Sequence, residues 1–192
     1  MNKIFSLLLI TFTYFFSCNK TETLLPKQNG FLRLDIDEPK YIKFTDKYGL
    51  VNFYFNSNAT KINYDISGNI LLNYTDLDLS VKLSKSKIEN LRDLKKNILD
   101  FNLILETHSK KSNAIFLKEY ENKNNDIFGK LYELTGDVAI PIQFYLTDSL
   151  SYFINGSLNL NSKSDYDSIF PSIEYVKKDI FVLVESLNLN FK

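Results

Sequence analysis

The chain has 192 residues, enough for one domain with a sizeable core and short for two. Its 23 basic and 23 acidic side chains cancel, which removes the broad positive field that holds nucleic acid phosphates. An apolar fraction of 44%, with 16 Phe and 12 Tyr, excludes disorder over most of the length and favours ordered strands.

The N-terminus comes first. Lys3, the uncharged run from Ile4 to Phe16, and Ser17 before Cys18 follow the plan of a secretory signal. The run is too short for a transmembrane helix, which needs roughly 20 apolar residues. A small residue directly before a cysteine at the end of such a run resembles a bacterial lipobox, although Phe15 and Phe16 stand where aliphatic and small residues are usual. That resemblance implies cleavage before Cys18, a thioether from its sulfur to diacylglycerol, and acylation of the new N-terminus. Several acyl chains at about 0.8 kcal/mol per buried methylene make a durable anchor. The alternatives are an ordinary cleaved signal with a cysteine nearby, or a signal anchor. Cleavage at this point leaves 22 basic against 23 acidic residues. With Cys18 the only cysteine, no disulfide is available and stability rests on the core. Residues 18–30 read as a polar lipidated tether with Pro26 and Gly30, and residues 31–192 as a single domain.

Phe31 to Ile36 alternates like a half-buried strand, and so does Tyr48 to Phe55. Pro39 between them makes DEPKYIKF a loop or an edge. INYDI (62–66) and NILLNYTDL (69–77) form a hairpin about Ser67 and Gly68. Ile88, Leu91, Leu94, Ile98, Phe101 and Leu105 then recur at helical spacing, with a capping-box pattern at Ser86 to Glu89, so a helix is predicted over 86–105. Four segments of strand period follow, AIFLKEYEN, DIFGKLYELTGD, IPIQFYLTD and YFINGSLNLN, which predicts an antiparallel meander. A last helix is predicted with Asp167 or Ser168 as its cap, Pro171 in its first turn, and Ile173, Val176, Ile180, Leu183, Val184 and Leu187 as its buried stripe. The sum is an α+β fold: an antiparallel sheet of about six to seven strands with two amphipathic helices packed on one face.

Signs of chemistry are sparse. His108 is the only histidine, and a general base needs a nucleophile or an orienting carboxylate beside it. Neighbouring Glu106 and Ser109 are poor evidence for a triad, so a capping or loop hydrogen bond is the expectation. Asp35, Asp37 and Glu38 form the densest acidic group, yet lack the glycine turn and ligand spacing of a calcium loop. Phosphate-binding loops and a G-x-S-x-G elbow are absent from the sequence. No catalytic residue, cofactor or metal is therefore expected. Asp148-Ser149-Leu150 and Asp167-Ser168-Ile169 resemble the Asp-Ser/Thr-aliphatic acceptor pattern for O-glycosylation of exported Bacteroidota proteins, which makes Ser149 and Ser168 candidates. The plainer reading of both is turn and cap chemistry, since Asp and Ser favour those positions on their own account.

HSKKSNAI, FGKLYELTGDVAIPIQFYLTDSLSYFINGSLNLN and DSIFPSIEYVKKDIFVLVESL resemble, in order and spacing, the GldD gliding motility lipoproteins of Bacteroidota. Residues 143–149 (QFYLTDS), followed by Phe153, Gly156 and Ser157, are the most specific stretch, together with 167–180. Residues 56–105 match more weakly, and Asn159 stands where an aromatic is more typical. The resemblance implies an envelope lipoprotein needed for gliding and linked to type IX secretion, with no assigned reaction. Its expected partners are the membrane, through the lipid, and other gliding and secretion proteins of the envelope. The expected location is lipid-anchored and facing the periplasm. Tyr41, Tyr48, Tyr120, Tyr132 and Tyr152 are candidates for a contact face. The alternative function is a periplasmic module binding a lipid or a glycan.

Overall fold

The computed structural model describes residues 34–162 and 166–189. The strands are β1 (Tyr41–Thr45), β2 (Val51–Asn56), β3 (Lys61–Tyr64), β4 (Ile70–Tyr74), β5 (Leu79–Lys87), β6 (Ala114–Asn122), β7 (Ile127–Thr135), β8 (Ile142–Thr147), β9 (Tyr152–Leu160) and β10 (Asn188–Leu189). The helices are α1 (Leu91–Ser109) and α2 (Tyr166–Ser186). Seven strands form one antiparallel sheet in the order β3-β4-β5-β9-β8-β7-β6, and three form a second in the order β1-β2-β10.

The α+β class, the antiparallel sheet and the four-strand meander are as the sequence predicts. The placement of the helices is not. Side chains alternate across a strand, and in β8 Phe144 belongs to one apolar cluster while Tyr145 belongs to another. Ile154 and Phe153 of β9 divide in the same way. The first cluster holds Ile173, Val176, Ile180 and Leu187 from α2 and its C-terminal end, with Val51 and Phe53 of β2. The second holds Phe101 of α1, with Leu94, Ile98 and Leu105 packed on it. The two helices therefore lie on opposite faces of the seven-stranded sheet. An apolar stripe says that a helix is covered, and carries no information about which face covers it.

Three boundaries also move. Residues 34–36 of the predicted first strand are not in a strand, and 31–33 lie outside the described residues. Leu34 and Ile36 nevertheless pack on the main core. Ser86 lies in β5, because the β5–β9 ladder runs on to Lys87 opposite Tyr152 and Ile88 N–H donates to the Ser151 carbonyl at 2.8 Å. Asn90 is the cap instead: its Oδ1 accepts from Arg92 N at 2.9 Å and Asp93 N at 3.2 Å. Asp93 Oδ2 in turn accepts from Glu89 N at 3.0 Å, so the exchange is reciprocal, one residue before the expected helical turn. Finally, α2 begins at Tyr166, so Pro171 sits in its second turn rather than its first.

Gly156 permits a close approach between strands. A Cβ there would lie 2.1 Å from Cζ of Phe144 on the adjacent strand, and Phe144 is fully buried. The missing side chain thus makes room for a ring on the core face.

Candidate functional site

The one histidine sits near the end of α1, where the side-chain amide of Gln143 is hydrogen-bonded to its Nδ1. Burial lowers the pKa of His108, and the bond to Gln143 opposes that shift. No carboxylate or hydroxyl is bonded to the ring among the described residues; the helix runs to Ser109 rather than to the predicted 105, so His108 is a helical residue bonded to a strand side chain, not the capping or loop residue expected. Beside it, Thr107, Lys111, Asp137, Asn161 and Ser162 line a cleft of about 610 Å³.

The acidic group does not converge. Asp35, Asp37 and Glu38 are all exposed on the segment before β1, and no group of three or more His, Cys, Asp or Glu among the described residues could hold a metal ion. Ser149 occupies the β8–β9 turn with a left-handed φ of 62°. Its hairpin is organised by Asp148, whose Oδ1 accepts from the amides of Leu150, Ser151 and Tyr152 at 2.9–3.2 Å. Ser149 is half-exposed and lines the mouth of a groove between α1 and β6–β8. Ser168 is exposed in the first turn of α2. Cys18 lies outside the described residues.

The five tyrosines do not make one face. Tyr48 is 62% exposed, but Tyr120 and Tyr152 pack on the main core and Tyr132 on the α1 cluster. Tyr41 turns inward, its hydroxyl donating to Asp179 Oδ1 at 2.7 Å. Asp179 is 4% exposed, and Asn56 Nδ2 donates to its other oxygen at 3.2 Å. Tyr74 of β4 also bonds to this carboxylate. All three partners are neutral, and burial raises the Asp179 pKa against the pull of these bonds. This is a structural knot joining β1, β2, β4 and α2. It is closed to solvent and offers no access to a substrate.

Asp46 shows the contrasting case at the β1–β2 turn. Burial opposes its ionisation, but a hydrogen bond from Lys85 Nζ at 2.9 Å and the amides of Val51 and Leu50 outweigh burial and hold the carboxyl below its usual range.

What the surface does present is an edge. β6 ends the seven-stranded sheet, so one side of its ladder meets no strand among the described residues. Seven of its nine residues are exposed, including Ile115, Phe116 and Leu117 in succession. Such an edge is a ready template for another strand unless charge or cover blunts it. Lys118, Glu119 and Glu121 interrupt the apolar run, and Glu119 pairs with Lys130 of β7 at 3.0 Å. α2 meets only the second half of the strand, where Lys118 Nζ lies 4.1 Å over the Phe181 ring and Asn122 Nδ2 donates to the Glu185 carbonyl at 3.3 Å; residues 115–117 stay exposed.

A family model for the gliding motility lipoprotein GldD matches residues 21–189, which takes in every described residue. The chain belongs to this family. No curated protein and no solved structure matches it. Family membership makes the protein a gliding motility lipoprotein, held by lipid at the cell envelope. Among the described residues no helix is long and apolar enough to cross a membrane.

Proposed function

We propose that this GldD-family domain is a non-enzymatic accessory or assembly factor of the gliding machinery and of the associated type IX secretion apparatus. In this reading residues 1–17 are removed, Cys18 carries the lipid, residues 18–30 are the tether, and the domain from residue 31 faces the periplasm. The observation that carries it is the β6 edge, where free backbone groups beside Ile115, Phe116 and Leu117 suit pairing with an extended segment of another envelope protein. Main-chain bonds would supply affinity there, and the two faces of the edge would supply selection.

A photo-crosslinking residue at Leu117 in the native host is expected to trap a gliding or secretion component. Absence of any envelope crosslink from a strain that still glides contradicts the edge assignment. A deletion strain that spreads and secretes normally contradicts the role itself. The anchor is tested separately. A Cys18→Ser chain is expected to leave the membrane pellet for the soluble fraction, and its retention in the pellet after a salt wash sinks the lipid assignment. Ser149 and Ser168 are proposed as O-glycan acceptors, both being accessible; an intact mass from the native host equal to peptide plus lipid removes them.

The cleft beside His108 favours a second reading, a glycan-binding module. Its volume falls in the range of small-molecule sites, and Lys111, Asp137 and Asn161 offer polar contacts suited to hydroxyl groups rather than to an acyl chain.

A further inference from the structure

The outer surface of α1 is unusual for a helix whose apolar stripe is already used. Phe101, Leu94, Ile98 and Leu105 face the sheet and fill the second cluster. Yet Leu99 is 58% and Leu103 54% exposed, and Leu91 and Ile104 are exposed as well. At 100° per residue Leu99 and Leu103 project away from the sheet, one turn apart. The exposed cations Arg92, Lys96 and Lys110 fall on the same outward arc, with Lys95 at its margin. Of the three acids on the helix, Asp93 is turned back onto Glu89 N, leaving Asp100 and Glu106 against these cations.

From this pattern we propose that the outer face of α1 docks on the anionic lipid surface of the membrane that holds the anchor. Leucines between flanking cations match the two parts of a bilayer interface, with apolar side chains entering the acyl boundary and cations meeting headgroup phosphates. A second copy of the chain fits less well, because an isologous contact through this face sets cations against cations. Reach is not limiting. The 17 residues from Cys18 to Leu34 span at most about 58 Å when extended. A tethered domain also meets the bilayer at high effective concentration, so a weak interfacial affinity suffices to hold it there. Docking would leave β6 and the α2 side free to act while setting the domain's orientation on the membrane.

The inference rests on the lipid assignment of Cys18, so the test begins with lipidated mature protein verified by intact mass. Once that sulfur is held in the thioether the chain has no other thiol. Asn102→Cys, exposed on α1, and Lys178→Cys, exposed on α2 across the sheet, each take an environment-sensitive dye. Each protein is reconstituted into vesicles of phosphatidylcholine alone or mixed with phosphatidylglycerol. In the mixed vesicles the dye at 102 is expected to shift to the blue and to be quenched by bromolipid, with both effects lost at high salt. The dye at 178 is expected to show neither. Adding Leu99→Asn and Leu103→Asn to the Asn102→Cys chain is expected to abolish the shift while the protein stays on the vesicle through its anchor. A water-like signal at 102 in anionic vesicles, with anchored protein present, overturns the proposal. So does an equal response at both positions, or a shift at 102 that appears only when an envelope protein is added.

Discussion

Asp179→Ala is expected to lower the free energy of unfolding by about 3–5 kcal/mol, measured by urea titration. The carboxylate is the shared acceptor for Tyr41, Asn56 and Tyr74, and its removal leaves buried donors unpaired in a cavity. A pH series separates this from simple loss of packing. Burial raises the folded pKa of Asp179 above the unfolded value. The contribution of its protonated form is therefore complete below about pH 4, where the unfolded side chain is also protonated, and is lost as pH rises through the folded value. Asp179→Asn cannot ionise, so the stability difference between wild type and this variant should shrink or reverse across that window. A difference that is flat with pH contradicts the raised pKa. Asp46 works in the opposite sense: its depressed value stabilises the fold above the unfolded pKa and is lost on acidification.

Gly129→Ala is expected to cost about 3 kcal/mol or more, and Gly156→Ala about 2–3 kcal/mol, both read as shifts in the denaturation midpoint. The obstacles differ in kind. A Cβ at Gly129 would stand 1.9 Å from the backbone carbonyl oxygen of Tyr145, so β7 and β8 must part to admit it. At Gly156 the obstacle is the Phe144 ring, a side chain that can be shortened. Phe144→Leu should therefore recover part of the Gly156→Ala loss, and should recover none of the Gly129→Ala loss. Additive effects at 156 and 144 would mean that the ring is not what the glycine accommodates.

Local pattern predicted much of this fold. Alternation located β2, the β3–β4 hairpin and the meander, and the turn residues between them fell where the chain reverses. The same signal was present in Leu79, Val81 and Leu83 against Ser80, Lys82 and Ser84, yet β5 was missed although it is central to the sheet and pairs with β9 over nine residues. The Ser86 to Glu89 capping pattern misled because long-range pairing with β9 outweighs a local cap. β10, two residues long and paired with β2, carries too little sequence to show a period.

The functional surface was less legible. Asp179 could have been flagged, since it lies three residues after Val176 and four before Leu183, inside the apolar stripe of α2. An acid on such a stripe must find partners, but those partners come from β1, β2 and β4, which sequence spacing cannot bring together. The exposed leucines of α1 were likewise hidden within a count of apolar positions. Only the direction of the sheet tells which of them are used.

The knot at Asp179 has a mechanical meaning. With Cys18 as the proposed lipid site, tension on the tether would enter the described fold ahead of β1, whose first residue, Tyr41, is stapled to α2 through the aspartate. A pull from the membrane is thus passed to a 21-residue helix before the five-residue ladder between β1 and β2 can peel open from that end.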